Sequence, residues 1–312
     1  MTDLLHRSSA SVVVCTSSNE REPLLRACVQ SLSSGATVPD EILVVVDRNP
    51  SLEASVAAWM PPGVTLLRSE RPGLSGGRNA GARAATSDVV VFIDDDATAE
   101  PEWLSLLLEP FAGHADVIGV GGSVLPEWET DRHWLPDELL WLVGCTYRGH
   151  REDAGPIRNP IGCNMAFRRH ELVALESFAA AFGRPRNMYC DETELALRLM
   201  KAHGPGRIRF VPDARVHHHV PAARLAFKVL VGRCVREGLS KGRLQRLYPG
   251  AALSSERGYA QRLLFVAAPR LLLDAMRRRD AQALLGGVAI LGALLVTGAA
   301  FVAGVVRAGP RR

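Results

Sequence analysis

The sequence predicts an α/β fold, a mostly parallel sheet with helices on both faces, followed by a helical, membrane-associated C-terminal segment. Three observations carry this. Short, near-continuous runs of Val, Ile and Leu alternate with helix-spaced stretches through the first hundred residues, the pattern of strands buried on both faces. Hydroxyl and acidic residues cluster directly after those runs, where ligands bind in parallel sheets. Near the other end, residues 281–306 form a 26-residue stretch without a charge, with only Gln282 and Thr297 as polar side chains.

Taken in order, residues 10–15 read as a strand and 22–32 as a helix, with apolar spacing at Leu24, Leu25, Cys28, Val29 and Leu32. Residues 41–46 read as a strand, 52–59 as a helix and 64–67 as a third strand. A helix over 77–85, a strand over 88–93 and a helix over 102–111 complete the alternation. No internal repeat of fixed period is present. Domain boundaries follow the composition: a globular body over 8–223 (halves about 8–125 and 126–223), a basic, partly amphipathic segment over 224–280, and the apolar helix 281–306.

The 312 residues are 47% hydrophobic and 22% charged, which excludes a disordered chain and suffices for a sizeable core. The six cysteines, Cys15, Cys28, Cys145, Cys163, Cys190 and Cys234, form no C-x-x-C pair. A structural zinc or a disulfide framework is therefore not expected, and a reducing compartment is. The apolar run at 12–15 is too short for a signal-peptide core.

The net charge of +4 conceals a division. Residues 1–223 carry 21 Lys/Arg against 29 Asp/Glu, whereas 224–279 carry 13 against 3. The basic stretch lacks interleaved aromatics and any helix-turn-helix or zinc-finger pattern, so no nucleic-acid partner is expected. It directly precedes a stretch long enough, at ~1.5 Å per residue, to cross a ~30 Å hydrocarbon core. Arg262, Arg270, Arg277, Arg278 and Arg279 are accordingly read as contacts to anionic lipid headgroups. Leucines among them over 258–276 suggest an interfacial helix interrupted at Pro269. These five basic residues within 20 positions before Ala281, against three after Val306, favour a body on the cytoplasmic side.

Strand ends bear the candidate chemistry. The first leads into Thr16-Ser17-Ser18-Asn19-Glu20, the second into Asp47 and the fourth into Asp94-Asp95-Asp96. A helix cap would use one of the three aspartates. Three adjacent carboxylates repel unless a cation is near, and oxygen ligands of this kind suit Mg²⁺ or Mn²⁺. The Gly73–Gly77 run lacks the G-x-G-x-x-G spacing of a dinucleotide site.

The ordered runs Gly73-Leu-Ser-Gly-Gly-Arg78-Asn79-Ala-Gly81, Phe92-Ile-Asp94-Asp-Asp96 and Pro101-Glu-Trp103-Leu104 resemble glycosyltransferase family 2, which has the GT-A fold. The resemblance continues in Gly162-Cys-Asn164-Met-Ala-Phe-Arg168, Asp191-Glu192-Thr-Glu194 and Val211 to Pro221, and covers about residues 10–221. It implies inverting sugar transfer from a nucleoside-diphosphate donor, UDP-sugar favoured and GDP- or dTDP-sugar possible. Thr16, Glu20, Asp47, Arg78, Asn79 and Asp94 match donor-binding positions. Asp96, Asp94 and His218 match the metal-diphosphate site, with His217 and His219 as open alternatives. Gly162, Asn164 and Arg168 match the acceptor side. Glu192 takes the position of the general base, with Asp191 second. The segment from Phe227 onward resembles polyprenyl-linked and glucuronosyltransferase-like members, which implies a glycan or lipid-linked acceptor.

Two other classes compete. A nucleotidyltransferase of the same fold would place a Gly-rich basic loop after the first strand, where this chain has Thr-Ser-Ser-Asn-Glu. An inactive membrane-anchored nucleotide-sugar binder would be expected to lack Asp96 or the base carboxylate. Trp128, Trp134, Trp141 and Tyr147 are read either as sugar-stacking faces or as packing residues. Glu194 and Arg198 form an i,i+4 helix pair with no catalytic role.

Overall fold

A computed structural model describes residues 8–130, 134–175, 177–179 and 190–307. Its first strand, β1 (Ala10–Thr16), is buried almost throughout, as a Val-rich run covered on both faces must be. Helix α1 (Glu22–Ser33) buries Leu25, Cys28, Val29 and Leu32, the stripe that the spacing predicts. Then follow β2 (Glu41–Val46), α2 (Pro50–Trp59), β3 (Val64–Arg68), α3 (Leu74–Ala84) and β4 (Val89–Asp94). The Asn49 side chain accepts from the Leu52 amide and Pro50 opens the first turn, which fixes the start of α2.

Beyond β4 the chain departs from simple alternation. A turn at Asp95-Asp96 leads into a short strand, β5 (Ala97–Ala99), so the aspartates do not cap the next helix. Helix α4 (Trp103–Leu108) ends in a 3₁₀ turn at Glu109–Phe111, earlier than its apolar spacing predicts. Pro110 lacks the amide that another α-turn needs. Strands β6 (Gly119–Trp128), β7 (Gly155–Ile157) and β8 (Asn164–Arg168), helices α5 (Arg169–Ala174) and α6 (Asp191–His203), and β9 (Ile208–Val220) complete the sheet region. The strand order is β3-β2-β1-β4-β8-β6-β9-β5, with β7 also paired to β9. Strands β3, β2, β1 and β4 are mutually parallel; β8 runs antiparallel to β4, and β5 antiparallel to β9.

The chain runs outward from β1 through β2 to β3 and then returns to β4 on the other side of β1. The direction of winding therefore reverses between β1 and β4, the place where open α/β sheets bind ligands at strand C-termini. Helix α3 closes over this edge at backbone distance. A Cβ added at Gly81 would stand 2.3 Å from Val13 Cγ1, and one at Gly77 would stand 3.0 Å from Cys15 Sγ. The core beneath is formed by Val13, Val45, Phe92, Met165, Phe167 and Leu195, among others.

Two compact units are present. One comprises Met1–Leu125, Asp153–Arg186 and Asp191–His218; the other comprises Pro126–Glu152, Asn187–Cys190 and His219–Arg312. The second is helical after β9: α7 (Phe227–Leu247), α8 (Glu256–Arg262), a π-helical stretch at Leu263–Ala267, α9 (Ala268–Arg278) and α10 (Ala281–Arg307). The π stretch sits just before Pro269, where a proline disturbs the preceding turn. Asp280 accepts from the Gln282 and Ala283 amides and starts α10. Helix α7 lies against α10 through small residues: Cβ atoms at Gly238 and Gly304 would stand 2.3 Å from Thr297 O and 2.5 Å from Leu239 O. Within α10, the most apolar 18-residue stretch has a mean hydropathy of 2.4 and is only 17% buried. It is long and apolar enough to cross a bilayer.

Gly81→Val forces two methyl groups into β1 and should lower the unfolding free energy by roughly 2–3 kcal/mol in urea melts. Gly258→Ala, where a new Cβ meets nothing within 4 Å, should be neutral or stabilise by up to ~1 kcal/mol. Equal effects at the two sites would refute close packing of α3 on β1.

Candidate active site

The site is organised around one buried cation. Arg78, on the inner face of α3, is 3% exposed. Its Nη1 donates to Asp191 Oδ1 and Oδ2 at 3.2 and 3.1 Å, and its Nη2 donates to the Gly162 carbonyl at 2.9 Å. The same Nη2 is 3.5 Å from Asp94 Oδ1, and the guanidinium stands 5.4 Å above the Phe178 ring. Burial by itself disfavours the charged guanidinium, yet Asp191, Asp94 and Glu192 together hold its pKa above the ordinary value. Gly162 belongs to this arrangement, because a Cβ there would stand 2.8 Å from Arg78 Nη2.

Two adjacent carboxyls open α6 and behave oppositely. Asp191 is buried and also accepts from Ser75 Oγ at 2.9 Å. Desolvation raises its pKa, but the charge of Arg78 and the hydrogen bonds outweigh it and hold the group below the usual carboxylate range. Glu192 is raised to about 8 by burial first, then by the charge of Asp191 and a hydrogen bond with it. The pair thus has one firm anion and one carboxyl with high proton affinity.

The aspartate run is compensated by protein charges as well. Arg21 Nη1 lies 2.8 Å from Asp95 Oδ1 and 3.4 Å from Asp96 Oδ2. Burial raises the Asp95 pKa against the opposing pull of Arg21 and the Thr16 hydroxyl. His218 Nε2 lies 3.3 Å from Asp96 Oδ1. Along β9 the three histidines alternate: His218 is buried, whereas His217 and His219 are half-buried and His217 reaches Glu100 at 3.0 Å. Asp94, Cys163 and His218 bring three metal-ligating atoms within 4.8 Å of one another. Carboxylate and imidazole converging in this way fit a divalent cation.

Among donor-side candidates, Asp47 holds the Gly73 amide with Oδ2 at 2.6 Å, while its buried Oδ1 has no hydrogen-bond partner among the described residues. Thr16 is buried beside Asp95, and Glu20 is exposed in the 3₁₀ turn Asn19–Arg21.

Three other candidates make hydrogen bonds within the protein. Asn79 exchanges both of its amide hydrogen bonds with the Phe178 backbone, at 2.8 Å each. Asn164 is fully buried: Oδ1 accepts from Trp103 Nε1 at 2.9 Å, and Nδ2 donates to the Ser123 and Ala214 carbonyls. Arg168 donates to the Val117, Phe111 and His114 carbonyls. Asn164 and Arg168, expected on the acceptor side, thus spend these hydrogen bonds on the Trp103 indole and on backbone carbonyls. Arg78 likewise faces protein carboxylates. Tyr147 packs against Tyr259 with centroids 4.8 Å apart, so the packing reading holds for that ring. Sequence reasoning singled out neither Arg21 nor Cys163, although Cys163 lies inside the 162–168 run, because the groups they meet come from distant segments.

A carboxylate-rich edge at a winding reversal, backed by antiparallel strands that add a histidine, is the GT-A arrangement of nucleotide-sugar transferases. Comparison with known proteins agrees. Residues 11–173 match the family described as glycosyl transferase family 2, and the chain belongs to that family. Glucosyl-dolichyl phosphate glucuronosyltransferase of Haloferax volcanii is 34% identical over 262 residues, 82% of this chain and 83% of that protein. Succinoglycan biosynthesis protein ExoM of Rhizobium meliloti is 29% identical over 246 residues, covering 74% and 73%. Among solved structures, mannosyltransferase PcManGT from Pyrobaculum calidifontis, in complex with GDP-Man and Mn²⁺, superposes with a TM-score of 0.60 at 18% identity over 95% of this chain and 88% of that one. GalNAc-T7 with UDP, GalNAc and Mn²⁺ gives 0.54 at 16% identity over 82% of this chain, which spans about half (54%) of that structure.

Arg78→Met leaves Asp191 buried without its counter-charge and should cost about 3–5 kcal/mol of stability. Arg78→Met combined with Asp191→Leu should recover part of that loss. Chemical unfolding of the detergent-solubilised protein measures both; no recovery in the double variant would count against the pair as the source.

Proposed function

We propose that this protein is an inverting, divalent-metal-dependent transferase that moves a sugar from a nucleoside-diphosphate donor to a hydroxyl of a lipid-linked or cell-envelope glycan. The observation that carries this reading is that one guanidinium, Arg78, touches both Asp191 of the carboxyl pair and Asp94 of the aspartate run. A base for the acceptor and a charged site for the donor thus lie on either side of a single side chain.

The unpartnered Oδ1 of Asp47 supports a donor contact, since a buried acceptor without a partner is costly until a ligand N–H or O–H reaches it. Asp94, Asp96 and His218 would hold the Mg²⁺ or Mn²⁺, which supplies positive charge to the leaving diphosphate. The acceptor oxygen attacks the anomeric carbon on the face opposite the diphosphate, the carbon–diphosphate bond breaks, and Glu192 takes the hydroxyl proton. A single displacement inverts the anomeric carbon. UDP-sugar is the favoured donor, with GDP- and dTDP-sugars as alternatives. The Haloferax relative, named for action on glucosyl-dolichyl phosphate, supports a lipid-linked acceptor.

Glu192 must be ionised to accept a proton. Because its pKa is raised to about 8, kcat/KM should climb with pH and level off above about 8. Glu192→Gln should lower turnover by ~10²–10⁴-fold and abolish this limb while donor affinity changes little. Asp191→Asn should be milder and move the limb to lower pH, because the repelling charge is gone. Calorimetric donor affinity and turnover, measured with UDP-, GDP- and dTDP-sugars, test this. A Glu192→Gln enzyme that keeps its activity while Asp191→Asn loses it would overturn the assignment.

The second unit supports membrane attachment with the sheet-bearing part on the cytoplasmic side. Phe265 and Met276 are 71% and 70% exposed beside the basic residues of α8 and α9. Apolar and basic groups so placed suit the interface preceding a span. Arg307 ends α10, and Arg311 and Arg312 lie outside the described residues. Full-length protein should sediment with membranes at moderate salt, and deletion of 281–312 should leave weaker, salt-sensitive binding. Recovery of the intact protein in the soluble fraction would contradict this.

A further inference from the structure

Cys163 stands where a glycosyl-transfer mechanism gives a thiol nothing to do. Its position is nevertheless built. The preceding carbonyl, Gly162 O, is held by Arg78, and the following side chain, Asn164, is held by Trp103, Ser123 and Ala214. Strand β8 pairs antiparallel with β4, with Ile93 opposite Asn164. One step further along that register brings Cys163 beside Asp94. From the other side, β9 brings in His218, whose register partner is Ala97. The sulfur, a carboxylate oxygen and an imidazole nitrogen thereby come within 4.8 Å of one another, with Cys163 and His218 buried. A cysteine that only fills space in a core has apolar neighbours; this one faces two ligand groups.

We propose that Cys163 is a further protein donor of the cation site, beside Asp94 and His218, and that it biases the site toward borderline or soft divalent ions over Mg²⁺. This rests on the reading of the protein as a metal-dependent transferase. Mg²⁺ binds oxygen in strict octahedral geometry and dehydrates reluctantly. Thiolate and imidazole favour Mn²⁺ over Mg²⁺ modestly and Co²⁺, Zn²⁺ or Cd²⁺ strongly. A site with only Asp94, Asp96 and His218 would lack the sulfur contribution to that preference.

The test uses full-length protein in detergent, stripped of metal by chelation, with Cys163→Ser and Cys163→Ala variants. Co²⁺ titration should produce a near-ultraviolet thiolate-to-cobalt charge-transfer band in the unaltered protein and none in either variant. Calorimetry should show Cd²⁺ affinity falling at least ~10-fold in Cys163→Ser, the scale on which even outer partners of a bound metal act, with Mg²⁺ affinity unchanged. Three outcomes would overturn the proposal: Co²⁺ binding without the band, persistence of the band in the variants, or a parallel loss of Cd²⁺ and Mg²⁺ affinity, which would reveal a packing role. The first leaves the metal-dependent reading intact. Absence of saturable binding by any divalent ion, in the unaltered protein with a nucleoside diphosphate present, would overturn that reading together with the proposal.

Discussion

A charged guanidinium buried at 3% exposure is the constraint on which the site depends. Removing such a group from water costs several kcal/mol unless its donors are met and its charge is balanced. Arg78 meets that demand with Asp191, Asp94 and the Gly162 carbonyl, and with the face of Phe178. Each partner comes from a different segment: α6, the end of β4, the turn before β8 and the 177–179 stretch. The ion cluster therefore acts as a joint that exists only when four parts of the chain have arrived. It also explains the glycines, since α3 must approach β1 closely at Gly77 and Gly81 for Arg78 to reach inward.

The same joint organises the remaining charges. Asp94 leans on Arg78, Asp95 on Arg21, and Asp96 on both Arg21 and His218. The fold thus supplies part of the counter-charge that the aspartate run requires. Asp94 is the least enclosed of the three; its side chain is 30% exposed against 4% for the other two. That exposure leaves it the carboxylate most open at the strand edge, while Asp95 and Asp96 meet Arg21 and His218 in the interior.

The parallel half was legible in the sequence because a strand covered on both faces needs an unbroken apolar run, and β1, β2 and β4 have one. The antiparallel half was not. Strand β6 contains Gly119, Gly121, Gly122 and Pro126, and β9 contains Pro212, Asp213 and Arg215, residues that dilute any strand signal. The motif order pointed to Asp47, Asp94, Glu192 and His218 as candidates but could not tell which side chains are already engaged within the protein. Asn79, Asn164 and Arg168 are so engaged, with partners 99, 61 and 57 residues away in sequence. Arg21 and Cys163 escaped for the complementary reason. Their neighbours at the site come from distant strands, and no local spacing announces an arginine 74 residues from its aspartate.

The asymmetry of the Asp191–Glu192 pair is where frame and chemistry meet. Both carboxyls lie in the first turn of α6, whose amide dipoles favour negative charge on either. Dipole and burial act on both, so the difference comes from their partners, Arg78 and the Ser75 hydroxyl bonding Asp191 directly. Arg78 bonds Asp191 with one terminal nitrogen and turns the other toward Gly162 and Asp94. Asp191 is thereby held ionised, and its charge then weighs on the next carboxyl, which has no comparable cation and binds its proton more tightly. One arginine so placed makes two chemically similar residues unequal. The result, at the start of one helix, is a carboxyl that gives up its proton readily beside one that holds it.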